Sequence, residues 1–425
     1  MTISSKTTSP KVTIETHGCK LNQADSSVIV NQFTKAGFVL SEDITSSDIF
    51  VLNTCTVTHI ADRKARKSIR HARKSNPSIK IIVTGCYAEN APQILKEMPE
   101  VDHVIGNKNK TKLFDDILAI QPKSRKTFPI NNPQSNRSRL MVKIQEGCDQ
   151  ICAYCIIPRV RGREKSVRPH KIVDLIDNSI TNGYKEVVLT GTELGSYGFE
   201  FENHSLGRLL QSILDHTTIP RLRVSSLQPQ EITDDLLCQW ENPRLCPHFH
   251  ISLQSGNETI LKSMRRKYDL TQYADTLALI RKRVPRASIT TDVIVGFPGE
   301  NKNTFNDTYK YCKSMGFSAI HVFPYSKRPG TSAFYFKNDL NPELKSIFVK
   351  SLIALSDKLE IEQLAKNINL STSVLWEKTI NVSNNTYYTG LSENYLKCLV
   401  QSPINISNSI TSIKPKTITH KYLLA

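Results

Sequence analysis

Three cysteines fall within the run GCDQICAYC, as Cys148, Cys152 and Cys155. Three thiolates at C-x3-C-x2-C spacing can hold three irons of a [4Fe–4S] cube and leave the fourth iron without a protein ligand. A structural zinc site is the plain alternative. It needs four protein ligands, and no Cys or His follows Cys155 within a dozen residues. Tyr154, directly before the third cysteine, offers a ring that could pack against a purine; an ordinary buried tyrosine is the alternative.

A second set is dispersed. Cys19, Cys55 and Cys86 close the strings VTIETHGC, DIFVLNTC and KIIVTGC. Each follows a strand candidate and precedes a helical stretch. In a doubly wound sheet the loops after parallel strands gather at one edge, where ligands bind. The three thiols would meet there, again with no obvious fourth ligand. Three buried free cysteines are the alternative. Cys238, Cys246, Cys312 and Cys398 read as structural, and His250 as a packed core histidine.

The elements that must position these groups are of α/β type. Strand signals at 12–16, 48–52, 80–84 and 102–105 alternate with helical patterns at 22–36, 61–74 and 92–98. This predicts a doubly wound parallel sheet in an N-terminal domain, 10–120. Residues 121–138 are basic and rich in Pro, Asn and Ser, as a linker would be. Strand signals at 140–145, 186–189, 221–225, 249–253, 288–295 and 319–323 follow, most of them separated by helices. They predict a partial TIM-type (βα)6 barrel over 139–368, closed by a long helix at 342–368. The C-x3-C-x2-C motif then lies at the C-terminal end of the first strand, where such folds keep their active sites. Short runs at 373–377, 379–382, 387–391 and 396–401, rich in Val, Ile, Tyr and Thr, predict a small antiparallel β-barrel over 369–425.

The chain has 425 residues with 56 Lys plus Arg against 39 Asp plus Glu, a formal charge of +17. Such an excess points to a polyanionic partner. It is densest directly after Cys55, where Arg63, Arg66, Lys67, Arg70 and Lys74 share one face of a helix. Phosphate contact is the functional reading; a solvated basic helix is the alternative. Arg265, Arg266 and Lys267 make a second, shorter basic run. No apolar run approaches the ~18 residues that span a bilayer, and the N-terminus lacks a signal-peptide pattern. The expectation is a cytoplasmic protein that keeps off membranes, and its ten cysteines are then not a disulfide framework.

C-x3-C-x2-C with an aromatic before the last cysteine resembles the signature of the radical S-adenosylmethionine (SAM) superfamily. TGTE (190–193) and DVIVGFPGE (292–300) resemble its downstream pieces. The resemblance implies that SAM chelates the open iron and that one electron releases a 5′-deoxyadenosyl radical. It also implies that Gly191, Thr192 and Glu193 meet the SAM amine. The chain further resembles the methylthiotransferases in GCKLNQ (18–23), NTCTVT (53–58), TGCYAE (84–89), HISLQSG (250–256), MRRKY (264–268) and HVFPYSKRPGT (321–331). Its C-terminal VLWE…YTGLSENYLKCLV (374–400) looks like a TRAM domain, an RNA-binding barrel. By that resemblance Cys19, Cys55 and Cys86 ligate an auxiliary [4Fe–4S] cluster, and two SAM molecules are used per product. The partners implied are a tRNA anticodon stem-loop and an electron donor such as a flavodoxin or ferredoxin.

The run NTCTVTHIADRKARKSIRHA (53–72) resembles the branch acting on N6-threonylcarbamoyladenosine at position 37, beside the anticodon. There a methylthio group is placed at C2. One departure is Ala24–Asp25, where that branch often has an aromatic and a Glu. The alternatives are isopentenyl-adenosine in tRNA or an aspartate of a small-subunit ribosomal protein. A non-catalytic, metal-bound RNA-binding module is the alternative of another class.

Overall fold

A computed structural model describes residues 9–110, 138–382 and 385–425. Apart from Ser138, the expected linker lies outside the described residues. They form two compact units: residues 9–110 with 155–162 and 326–330, and residues 138–154, 163–325 and 331–425.

The first unit is built on five parallel strands: β1 (Lys11–Thr16), β2 (Val39–Leu40), β3 (Ile49–Thr54), β4 (Lys80–Gly85) and β5 (His103–Ile105). Their order is β2-β1-β3-β4-β5, with every pair parallel. Successive side chains of a strand point to opposite faces, and β3 is buried on both. Phe50 and Leu52 join Ala65, Ile69 and Ala72 of the helix His59–Ser75. Ile49 and Val51 join Ile29 and Phe33 of the helix Lys20–Lys35. This is the doubly wound sheet expected. The basic helix begins two residues before the expected start because Thr58 caps it, its hydroxyl accepting from the Ala61 N–H at 3.2 Å. The strand β2 and the short helix Cys86–Asn90 are additions to the sequence reading.

The second unit carries parallel strands in sequential order. β6 (Arg139–Lys143), β9 (Glu186–Thr190) and β10 (Arg221–Val224) pair side by side. So do β11 (Ser226–Leu227), β12 (His248–Ile251), β13 (Ser288–Val295) and β14 (Ala319–Pro324). Leu222 of β10 bonds to Arg244 O at 2.8 Å and Cys246 N at 2.9 Å, which carries the series on towards β12. With β10 and β11, separated only by Ser225, taken as one position, the result is the open six-strand barrel expected. A short hairpin of β7 (Gln145–Glu146) and β8 (Lys165–Ser166) follows β6. The helix expected at 342–368 runs Pro342–Ala365. Among the described residues no helix is long and apolar enough to cross a membrane.

The C-terminal part is a curled sheet of β15 (Thr372–Val382), β16 (Asn385–Ser392), β17 (Lys397–Val400), β18 (Ile410–Ile413), β19 (Thr417–Thr419) and β20 (Tyr422–Leu424). Its order is β18-β15-β16-β17-β20-β19. The two strands expected at 373–377 and 379–382 are one, whose pairing with β16 shifts register between Trp376 and Lys378. Such a bulge bends a strand without ending it. The sheet is a half-barrel with one parallel pair, β17 with β20, rather than a wholly antiparallel barrel.

A buried charge pair ties this sheet to the barrel. Arg223 and Glu186, both fully buried, meet at 2.8 Å (Nε to Oε1). Arg223 also donates to Glu393 O at 3.1 Å. Burial opposes the charge on Glu186, but Arg223, with Arg139 and Arg221 beyond it, holds its carboxyl below the usual range. Arg223→Ala removes the nearest compensating charge from that buried carboxylate and is expected to cost ~3–5 kcal/mol in chemical denaturation. A loss under ~1 kcal/mol would show that the pair contributes little.

Candidate functional site

The dispersed thiols are brought to one edge by strand register. Asn53 of β3 pairs with Thr16 of β1 on one side and Thr84 of β4 on the other. Cys55 and Cys86 lie two residues beyond that row and Cys19 three. Neighbouring strands run ~4.8 Å apart, so the three loops emerge together. Gly18 adopts φ +95°, and a Cβ there would sit 2.6 Å from Cys55 Cβ and 3.0 Å from its Sγ. Only glycine permits that approach at that φ.

Polar side chains lock the loops. Asn22 Nδ2 donates to His17 O at 2.7 Å and Thr54 O at 2.9 Å. Asn53 Nδ2 donates to Asn22 O at 2.9 Å. Thr54 Oγ1 donates to Thr84 O at 2.5 Å and accepts from Tyr87 N at 3.2 Å. The departure at 24–25 has a structural place: buried Asp25 pairs with Arg161 at 3.2 Å and Lys110 at 2.9 Å. Cys55 and Cys86 are buried and Cys19 is exposed. Burial pushes the Cys55 thiol up to about 11, and the nearby Cys86 and Cys19 add to the shift. Three thiols within one another's field, two of them out of water, fit a multivalent iron centre, which favours thiolates that the site alone disfavours.

The C-x3-C-x2-C loop leaves β7. Cys148 is buried, and its Sγ lies 3.4 Å from Glu193 Oε2 and 3.4 Å from the Gln150 N–H. Cys152 and Cys155 are half-buried. The loop is pinned through Ala153, whose N–H donates to Met264 O at 3.0 Å and whose carbonyl accepts from Ala333 N at 2.8 Å. The segment 191–193 lies beside its start. Gln145 Oε1 accepts from Thr192 N at 2.9 Å and Glu193 N at 3.0 Å, and its amide donates to Gly147 O at 2.9 Å. A Cβ on Gly191 would meet that same Gln145 Oε1 at 2.9 Å.

Three groups here were not read from the sequence as site residues. Gln145 is one. Arg266, taken as part of a surface basic run, turns inward. It donates to Cys152 Sγ at 3.2 Å, Tyr154 OH at 3.4 Å, Gln228 Oε1 at 2.8 Å and Tyr268 OH at 3.1 Å. Arg265 and Lys267 stay exposed. Between the two helices the backbone turns, with Arg265 at φ +58°, so the three basic side chains do not share one face; that break in the helical pattern was the available signal. Glu231 is the third. Burial, then its hydrogen bond with Glu193 and the charge there, raises its carboxyl above the usual range.

On the basic helix, Asp62, Ala65, Ile69 and Ala72 form the buried face. Arg63, Lys67, Arg70 and Lys74 are exposed. Arg66 is only half-exposed and donates to Tyr87 OH at 2.7 Å, next to Cys86.

Comparison with known proteins covers both units. Residues 11–106 match the Uncharacterized protein family UPF0004, and residues 142–312 match the Radical SAM superfamily. The chain is 34% identical over 419 residues to the threonylcarbamoyladenosine tRNA methylthiotransferase MtaB of Bacillus subtilis, covering 95% of this chain and 93% of that protein. It is 37% identical over 371 residues to the MtaB of Aquifex aeolicus, covering 84% and 90%. It is 34% identical over 373 residues to the tRNA-2-methylthio-N(6)-dimethylallyladenosine synthase of Endomicrobium trichonymphae, covering 87% and 89%. Among solved structures, the radical SAM methyltransferase TsrM of Kitasatospora setae superposes with a TM-score of 0.56 at 14% identity over 77% of each chain, which shows a shared fold.

Proposed function

The chain belongs to the radical SAM methylthiotransferase family, and from that premise we propose that it places a methylthio group at C2 of N6-threonylcarbamoyladenosine at position 37 of tRNA. The observation that carries this reading is the pair of thiol sets. One is gathered by register at the end of β1, β3 and β4, and the other is held on the loop after β7. The MtaB names of relatives matching most of the chain support the choice of adenosine.

In this reading Cys19, Cys55 and Cys86 hold the auxiliary [4Fe–4S] cluster, and Cys148, Cys152 and Cys155 hold the cluster that meets SAM. When bound, the clusters and SAM supply one-electron chemistry and sulfur, which suit a C2–H bond too strong and too weakly acidic for a general base. Glu193 and Thr192 offer acceptors for the SAM amine, with the backbone of 191–193 set by Gln145. Tyr154 would offer its ring to the adenine. Arg266 acts as a positioning residue, holding Cys152 and Tyr154 in place. The substrate base must leave its stack to be reached.

Mass spectrometry of anticodon-loop nucleosides, from cells with and without this protein, tests the substrate. The 2-methylthio form of threonylcarbamoyladenosine is expected only with the protein. Loss of the isopentenyl product instead would move the assignment to the branch of the Endomicrobium relative. Unchanged nucleosides would remove tRNA from the proposal.

The exposed row Arg63, Lys67, Arg70 and Lys74 meets the RNA backbone in this reading. Replacing Lys67, Arg70 and Lys74 with glutamine is expected to reduce the slope of log affinity against log salt by about 2, at ~0.7–0.9 for each phosphate no longer neutralised. An unchanged slope in a filter-binding titration would return the helix to a solvated role.

A further inference from the structure

A separate set of ligating side chains lies on three adjacent strands of the barrel. His250 stands on β12, Asp292 on β13 and His321 on β14, and Asp292 is in register with His321. His250 Nε2 is 3.2 Å from Asp292 Oδ2, and His321 Nδ1 is 3.2 Å from Asp292 Oδ1. One ligand atom from each residue lies within 4.8 Å of the other two. We propose that these three side chains form a site for one zinc-like divalent cation, distinct from the two thiol sites.

The donor set is two imidazoles and one carboxylate. With metal–ligand distances of ~2.0–2.2 Å, the ligands of a tetrahedral zinc stand ~3.3–3.6 Å apart; the two His–Asp separations, each 3.2 Å to a different carboxylate oxygen, are near that value, and the three ligand atoms fall within 4.8 Å of one another. A ligating histidine usually engages its second ring nitrogen with an orienting partner. His250 does so: its Nδ1 meets Thr290 Oγ1 at 2.9 Å. The two rings stack, 24° from parallel with centroids 5.4 Å apart, and each turns a ring nitrogen to the carboxylate. Burial is graded across the trio, with side-chain exposure of 8% for His250, 24% for Asp292 and 53% for His321. Three protein ligands with one side open to solvent is the pattern of a site that keeps a position for water or an exogenous donor. Read from the sequence, His250 was a packed core histidine; it is buried, but its ring edge is committed to this trio.

The test uses the cluster-loaded protein and zinc chloride. After equilibration and gel filtration, zinc and iron are counted by mass spectrometry. About one zinc per chain is expected in the wild type, falling roughly tenfold or more in His321→Ala, with iron unchanged. His321 is exposed, so its removal should leave the fold intact, as circular dichroism would confirm. Asp292→Asn, which keeps the shape and removes the charge, should lose zinc likewise. No zinc retained by the wild type, or equal zinc in His321→Ala, would reduce the trio to a hydrogen-bonded network and overturn the proposal.

Discussion

Cys148→Ala is expected to abolish SAM cleavage, with 5′-deoxyadenosine formation under anaerobic reducing conditions falling about 10²-fold or more, ~2.7 kcal/mol or greater in the barrier. The reason is local. Cys148 is the buried member of its set, with Glu193 and the Gln150 N–H on its sulfur. Removing that sulfur takes away one of three thiolates that an iron cube needs. The framework around it does not depend on the sulfur. Gln145 still accepts from Thr192 and Glu193, and Ala153 still bridges Met264 and Ala333. The apoprotein should therefore lose no more than ~1–2 kcal/mol, the range for a small buried truncation. Cys238→Ala, at an exposed position outside both sets, is the control and should keep full cleavage. Cleavage by Cys148→Ala within about tenfold of wild type would remove this cysteine from the cluster.

Much of this was legible in the sequence because it depends on period and order. The parallel strands of both units follow from alternating βα signals, and β13 falls at the expected 288–295. The convergence of Cys19, Cys55 and Cys86 follows from the same logic, since each ends a parallel strand of one sheet. What was hidden depends on side-chain direction in irregular backbone. Arg266 reads as one of three basic residues, yet it alone turns to Cys152 and Tyr154, while Arg265 takes φ +58° beside it. Glu231 gives no signal in sequence, because its raised proton affinity comes from burial against Glu193. The trio of His250, Asp292 and His321 spans 72 positions and becomes a group only through the register of β12, β13 and β14. The tail reads as two strands over 373–382 because a bulge, here between Trp376 and Lys378, breaks alternation in sequence as a turn does.

Cys55→Ala separates the two thiol sets, and it is expected to stop methylthio insertion while leaving SAM cleavage largely intact. Cys55 sits at the end of the central strand β3, between the loops that carry Cys19 and Cys86. It is the thiol against which Gly18 packs. Its removal leaves two thiolates of three, so iron content should fall from about eight to about four per chain. The partners described for Cys148 and Cys152 are Glu193, Gln150 and Arg266, all in the second unit. Nothing in that set is altered by the change. The backbone around residue 55 should hold, because Asn22, Asn53 and Thr54 tie the loops independently of the sulfur. A melting curve within a few degrees of wild type would confirm it. The decisive comparison is made on one preparation: 5′-deoxyadenosine for cleavage, methylthio-nucleoside for insertion. Full insertion by Cys55→Ala would end the two-cluster reading. Loss of cleavage together with insertion, in a protein that still melts normally, would mean that the dispersed set of Cys19, Cys55 and Cys86 supports the radical step itself.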